Sequence, residues 1–208
     1  MSIQTLTTPR TPFCVTSTAM DVSVIIISGR AGSGKTSVAF EVCEQLRRHG
    51  IPHANIDTDY LDDIWPQENG PDLLLKNLAA IWSTYYHDRG CRRLILSGTS
   101  TIIDTSQIQE TIKQASQDSA ETVENKVMQV KIGAFILTAE DSVASERLKK
   151  REIGSALERH LASSNKWGRL FNDFPVWAYR IPTDGQNVEN IAANVLQSAG
   201  WIDVISCR

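Results

Sequence analysis

Gly29-Arg30-Ala31-Gly32-Ser33-Gly34-Lys35-Thr36 stands between an apolar run, Val22 to Ser28, and a segment with Val38, Val42 and Leu46 at helical spacing. A glycine, four residues and then Gly-Lys-Thr, set between a strand and a helix, is the phosphate-binding loop pattern. Each residue type there has a physical reason. Glycines let the backbone turn with its N–H groups pointing inward around a phosphate. The following helix adds unpaired N–H donors and the positive end of its dipole. Lys35 can reach the β- and γ-phosphates of a nucleotide, and the Thr36 hydroxyl can ligate Mg²⁺. Gly29, Arg30, Ala31, Gly32, Ser33, Gly34, Lys35, Thr36 and Ser37 are therefore the candidate nucleotide-binding residues. The bland alternative, a glycine-rich turn that binds nothing, is disfavoured by the strand before and the helix after.

The rest of the composition is that of an ordinary water-soluble protein. Of 208 residues, 41% are hydrophobic and 22% charged, which suits one domain with a sizeable core. A net charge of −3 gives no electrostatic footprint for nucleic acid, which is not expected as a partner. No apolar run is long enough to cross a membrane. Cys14, Cys43, Cys91 and Cys207 are too scattered for a metal pattern, and a reduced, cytoplasmic setting is expected. Residues 1–20, rich in Thr and Ser with Pro9 and Pro12, read as a flexible tail before a domain over 21–208.

Strand and helix signals alternate along that domain. His53 to Ile56 reads as a strand leading into Asp57-Thr58-Asp59, and Leu61, Ile64 and Trp65 as a short helix stopped by Pro66. A long helix starts at Gly70-Pro71, with Leu74, Leu78, Ile81, Trp82 and Tyr85 inward. Leu94-Ile95-Leu96 is a buried strand that ends at Ser97-Gly98-Thr99-Ser100. A helix follows over 105–118, then a polar loop to Asn125 and a strand from Val127 to Leu137, irregular near Gly133. Thr138 is placed to cap the next helix. Pro175 to Ile181 reads as the last strand and 188–199 as the closing helix, with Trp201 packing back on it. Alternation of this kind predicts an α/β fold: a parallel sheet with helices on both faces, its ligands at the C-terminal edge.

Four further side chains fit phosphoryl transfer. Asp57 and Asp59 follow the second strand, two residues apart. A kinase needs one carboxylate near Mg²⁺ and another to accept the proton of an attacking hydroxyl. Asp57 is assigned to the metal with Thr36, and Asp59 to the base; a plain polar cap after the strand is the alternative. Ser97 stands where many phosphate-loop proteins carry an acid, which throws weight onto Asp57. Arg147 and Arg151, four apart on one helix face, can stack on a base and neutralise a transferring phosphoryl, or else belong to a solvated basic face with Lys149 and Lys150. Residues 152–168 carry polar helical spacing with Gly154 and Gly168 as candidate hinges of a lid.

Together these residues resemble the P-loop small-molecule and nucleoside-monophosphate kinases, the group of adenylate, shikimate and gluconate kinases and chloramphenicol phosphotransferase. The resemblance spans about residues 22–201. The chain is also similar to uncharacterised kinase-like ATP-binding proteins with an acidic pair after strand two and a Gly-Trp near the end, here Gly200-Trp201. Asp57-Thr58-Asp59 looks like the Asp-x-Asp of shikimate kinase, and Arg147 to Arg151 like the Arg-x-x-x-Arg of adenylate kinase. That likeness implies Arg147 against adenine, Arg151 on phosphate, and Pro182 to Gly185 wrapped around adenine. It also implies a P-loop three-layer fold with strand order 2-3-1-4-5. Ser97 to Ser100 matches neither the Asp-Gly-Phe-Pro-Arg of adenylate kinase nor the triple glycine of shikimate kinase, so neither substrate follows.

The expected function is transfer of the γ-phosphoryl of ATP, with Mg²⁺, to a hydroxyl of a small molecule. Lys35, Asp59 and Arg151 would be catalytic. A polynucleotide 5′-hydroxyl kinase is one rival, and a nucleotide-binding module without transfer activity, favoured by Ser97, is the other. Trp65, Asp62, Asp63 and Thr99 lie where an acceptor would be read, but do not name it.

Overall fold

The computed structural model describes residues 21–66, 70–117, 128–152, 154–174 and 177–202. The expected tail over 1–20, the loop to Asn125, Val127, Pro175, Val176 and both terminal-region cysteines, Cys14 and Cys207, lie outside the described residues. Among those described, five strands form one parallel sheet: β1 (Val22–Gly29), β2 (Ala54–Asp57), β3 (Arg93–Ser97), β4 (Val130–Thr138) and β5 (Tyr179–Pro182), in the order β2-β3-β1-β4-β5. Strand order and parallel sense are those expected.

The centre of the sheet follows from four aliphatics in a row. Val24 to Ile27 are wholly buried, because a central parallel strand is covered on both faces. Their side chains alternate between two cores. Val24 and Ile26 join Leu94 and Leu96 under α2 (Asp72–His87) and α3 (Thr105–Ala115). Ile25 and Ile27 join Ile95, Phe135 and Leu137 under α1 (Lys35–Arg48) and α6 (Val188–Ser198). Two more helices, α4 (Asp141–Arg151) and α5 (Leu157–Asn172), lie between β4 and β5 in the chain.

Several local expectations are corrected. Residues 61–65 form no helix. A 3-10 turn at Thr58–Tyr60 takes the place, started by Asp57 Oδ1, which accepts from the Asp59 N–H at 3.1 Å. Leu61 then packs on the core, while Ile64 and Trp65 stay 53% and 89% exposed. The α2 stripe runs Leu74, Leu78, Trp82 and Tyr86, with Ile81 and Tyr85 at its margin, so the buried face is turned slightly from the expected one. β4 passes through Gly133 in unbroken register with β1, and a Cβ there would press on the Phe135 ring at 3.3 Å. Thr138 caps nothing: it ends β4, its carbonyl accepting from the Thr183 N–H at 2.9 Å. Glu140 takes the cap position of α4 instead. Trp201 does pack back, buried in one core with Ile191, Val195 and Leu196 of α6, and its Nε1 donates to Ser23 Oγ on β1 at 2.8 Å.

No helix among the described residues is long and apolar enough to cross a membrane.

Candidate active site

Parallel strands put their C-terminal ends on one edge, so three loops meet there: 29–36 after β1, 57–60 after β2 and 97–104 after β3. In the first loop Gly32 has φ +85, and a Cβ on it would come within 2.4 Å of the Ala144 carbonyl on α4. Only glycine allows both the turn and that approach. Ser33 Oγ is buried in the loop with no hydrogen-bond partner among the described residues. It packs beneath the loop, 2.6 Å from where a Cβ on Gly29 would stand.

Lys35 opens α1 and is only 8% exposed. Its Nζ donates to the Arg30 carbonyl at a long 3.4 Å. Burial pushes its pKa down; the Asp59 and then the Asp57 carboxylates pull it up, and Arg151 pushes it down again. An ammonium so weakly bonded gains from an anion beside it. Next to it Thr36 Oγ1 donates to Asp57 Oδ2 at 3.4 Å. Burial is the main cause that raises the Asp57 carboxyl, opposed by the hydrogen bond from the Asp59 N–H.

Sheet register explains the missing acid. Asp57 pairs directly with Ser97 across β2 and β3. A carboxylate one strand over thus stands beside the position that β3 leaves to serine. Among the described residues no group of three His, Cys, Asp or Glu is arranged to hold a metal. Thr36 and Asp57 suit the alternative: Mg²⁺ held by one or two protein oxygens together with phosphates and water.

Asp59 is tied to the loop after β3. Oδ1 accepts from the Thr99 N–H at 2.9 Å and Oδ2 from Thr99 Oγ1 at 3.4 Å. The floor beneath it is braced by hydroxyls. Thr58 Oγ1 donates to the Ser97 carbonyl at 3.1 Å and meets Thr101 Oγ1 at 2.5 Å. Ser28 Oγ donates to the Gly98 carbonyl and accepts from the Ile102 N–H. Gly98 sits in this mesh, where a Cβ would fall 1.9 Å from Thr58 Oγ1 and 3.2 Å from Asp59 Oδ1. Gly98→Ala is expected to move both groups, costing about 1–3 kcal/mol of stability as overpacking does. Thermal unfolding reads that cost, and a fall in turnover reads the displaced Asp59. At the end of the same loop, the Asp104 carboxyl is raised by burial and then by Asp62. Tyr60, Trp65 and Ile103 are exposed.

Arg147 does not project freely. Nη1 donates to Thr183 Oγ1 at 2.9 Å and to the Gly32 carbonyl at 3.3 Å; Nη2 donates to the Thr183 carbonyl at 3.1 Å. Asp184 completes the set as an ion pair at 3.8 Å. The guanidinium thereby ties the phosphate loop to the Pro182–Gly185 turn. A cleft of about 170 Å³ opens there, lined by Ser37, Val38, Arg147, Thr183, Gln186 and Ile191. It adjoins the phosphate loop at Ser33 and Gly34. Gln186 has no signal in the sequence that marks it for this place.

Arg151 is exposed and bonded to Glu152 Oε1 through Nη2 at 2.8 Å and Nε at 3.3 Å; His160 Nδ1 meets the same oxygen at 3.0 Å. Its charge is nevertheless felt at Lys35. Arg30 departs furthest from expectation. Its backbone belongs to the loop, but its side chain runs the other way, to Asp141, Ser164 and Asn165. Gly168, a candidate hinge in the sequence, has a packing reason: a Cβ there would meet Arg30 Nη1 at 2.8 Å.

The same architecture recurs in solved structures. The APS kinase of Mycobacterium tuberculosis, determined with AMPPNP and APS, has 15% identity and a TM-score of 0.56, over 86% of this chain and 98% of that one. For a gluconokinase of Sinorhizobium meliloti 1021 the values are 18% and 0.53, over 88% and 93%. A sugar kinase of Janibacter sp. HTCC2649 gives 15% and 0.51, over 86% and 95%. This chain has the fold of the P-loop small-molecule kinases. No protein-family model matches it, and no curated protein matches it.

Proposed function

We propose that this chain is an ATP-dependent phosphotransferase that moves the γ-phosphoryl to a hydroxyl of a small molecule. The observation that carries the reading is the placement of Asp59. It is tied to Thr99 at the end of β3, and it is the first of the charges that act on the buried Lys35. A loop that only binds nucleotide needs no such carboxylate. Kinship of fold with proteins that were solved as APS kinase, gluconokinase and sugar kinase adds support.

In this reading the backbone of Gly29 to Thr36 holds the phosphates, and Ser37, Arg147 and Thr183 border the base. Lys35 neutralises charge on the transferring group. Arg151 would join it after leaving Glu152. Thr36 and Asp57 would hold Mg²⁺, which supplies positive charge to the phosphates when bound. Asp59 takes the proton of the acceptor hydroxyl. The test is ADP release from ATP across a panel of sugars, hydroxy acids, nucleosides, antibiotics and oligonucleotides. Release dependent on a small acceptor is expected. An oligonucleotide as the sole acceptor, or ATP binding with no acceptor-dependent release, would overturn it.

Asp57 gives the reading a pH signature. A metal needs the carboxylate, so protons compete with it. Because the Asp57 pKa is raised in the folded protein, Mg²⁺-dependent ATP binding should be complete above that raised value. It should fade, as pH drops, sooner than an ordinary aspartate would allow. Asp57→Asn is expected to weaken that binding by about 10–100-fold and to flatten the profile. Titration of ATP at several pH values, with and without Mg²⁺, reads both effects. For folding the sign is opposite: the raised carboxyl makes the folded state bind more protons, so its contribution declines as pH rises through the window.

A further inference from the structure

Arg30 is buried, its side chain only 5% exposed, and it sits in the middle of the phosphate loop. Buried guanidinium groups need every donor paired. Here the partners come from elements more than 100 residues away. Nε donates to Ser164 Oγ at 2.9 Å, Nη2 to Asn165 Oδ1 at 2.6 Å, and Nη1 to Asp141. Ser164 Oγ donates in turn to the Ala31 carbonyl at 2.7 Å. Two successive loop residues are thus gripped by one turn of α5. The Arg30 carbonyl meanwhile accepts from Lys35 Nζ. The backbone at residue 30 thus also touches the lysine, through a long contact of 3.4 Å.

Among the described residues, the helix on the other end of this grip has a small apolar footing. Of its sixteen residues only Ser164 and Phe171 are buried, and one of these two is the polar residue that bonds the loop. Trp167 adds partial apolar contact, stacked on Phe171 at 5.5 Å. An element with so small an apolar footing docks with low local stability. The Arg30 contacts are then a large share of its docking, and Gly168 is bare so that the guanidinium can pass.

We infer that Arg30 is a positioning residue that makes nucleotide binding at the phosphate loop and docking of α5 a single coupled equilibrium. The inference rests on the loop being a nucleotide site. Its logic is reciprocal, as linkage requires. Docked α5 holds residues 30 and 31 in the shape that receives phosphates. Bound phosphates hold the same residues in the shape that receives α5. The guanidinium does this without touching the ligand, acting through its own backbone, Ala31 and Lys35.

The experiment measures the dissociation constant of a fluorescently labelled ATP for the wild type, Arg30→Lys, Ser164→Ala and the double variant. It is joined to hydrogen exchange of residues 157–172 with and without ATP. Lysine keeps the charge but cannot span three partners. Each single variant is expected to weaken binding by about tenfold, within the usual range of coupling between sites. The double variant should be little worse than either single one, because both cut the same link. With an acceptor in hand, the KM for ATP should rise more than kcat falls, and ATP should slow exchange in α5 of the wild type. Equal ATP affinity in folded variants, or exchange in α5 that ignores ATP, would overturn the inference alone. A wild type that binds no nucleotide would overturn the nucleotide site as well. The exchange measurement needs no variant, so a misfolded Arg30 mutant leaves the test intact.

Discussion

Lys35→Met is expected to lower ATP turnover by about 10²–10³-fold, the loss seen when a preorganised charge is removed from a transition state, with thermal stability little changed. The two halves of that result have one cause. Lys35 is buried at the start of α1, bonded only weakly to the Arg30 carbonyl, and burial depresses its pKa. A folded-state pKa below the unfolded value means that the charged lysine costs stability in the pH range where it stays protonated. Methionine keeps the bulk and removes that cost, and such exchanges are often neutral or stabilising. A buried charge that costs folding stability, in a loop with the phosphate-binding pattern, has its reason in binding rather than in the fold. Steady-state kcat and KM for ATP, set beside a melting curve, check both halves. Equal losses of stability and activity would make Lys35 a structural residue.

Much of the site was legible because its residue types are constrained locally. Four buried aliphatics before a glycine-rich turn mark the central strand, since few other environments cover both faces of a chain. Lys35 and Thr36 are fixed by the helix they open. Asp57 and Asp59 follow a strand end, and ends of parallel strands share an edge. What escaped the sequence depends on partners far along the chain. Arg30 looks like one more loop residue until Ser164 and Asn165 are brought to it. The bracing by Thr58, Thr101 and Ser28 needs β1, β2 and β3 side by side. Thr138 carries a good cap signal, yet pairing with Thr183 keeps it in the sheet. Leu61, Ile64 and Trp65 show helical spacing over too few residues for periodicity to overrule the turn that Asp57 starts. Ser97 is instructive in a different way. The sequence shows that an acid is missing from β3, but only register shows that Asp57 stands beside the gap.

Asp59→Asn separates a kinase from a nucleotide-binding module. The amide matches the carboxylate in size, and its oxygen can still accept from the Thr99 N–H, so the 97–104 loop should hold its shape. Thr99 Oγ1, now a donor to Oδ2, would turn to accept from the new NH₂ group. What the variant lacks is the ability to take a proton. General bases contribute about 10²–10⁴-fold, and acceptor-dependent kcat is expected to fall by that amount. ATP affinity should change far less, because the Asp59 carboxylate bonds Thr99 and, among the described residues, no group of the phosphate loop. One smaller effect has a predictable sign. Asp59 is the first of the charges that support protonated Lys35, so its loss lets burial depress the lysine further. Phosphate contacts from Lys35 should therefore weaken at alkaline pH in the variant before they do in the wild type. Full turnover on the acceptor by Asp59→Asn would remove this residue as the base. Loss of turnover with ATP binding retained would place Asp59 in the chemical step.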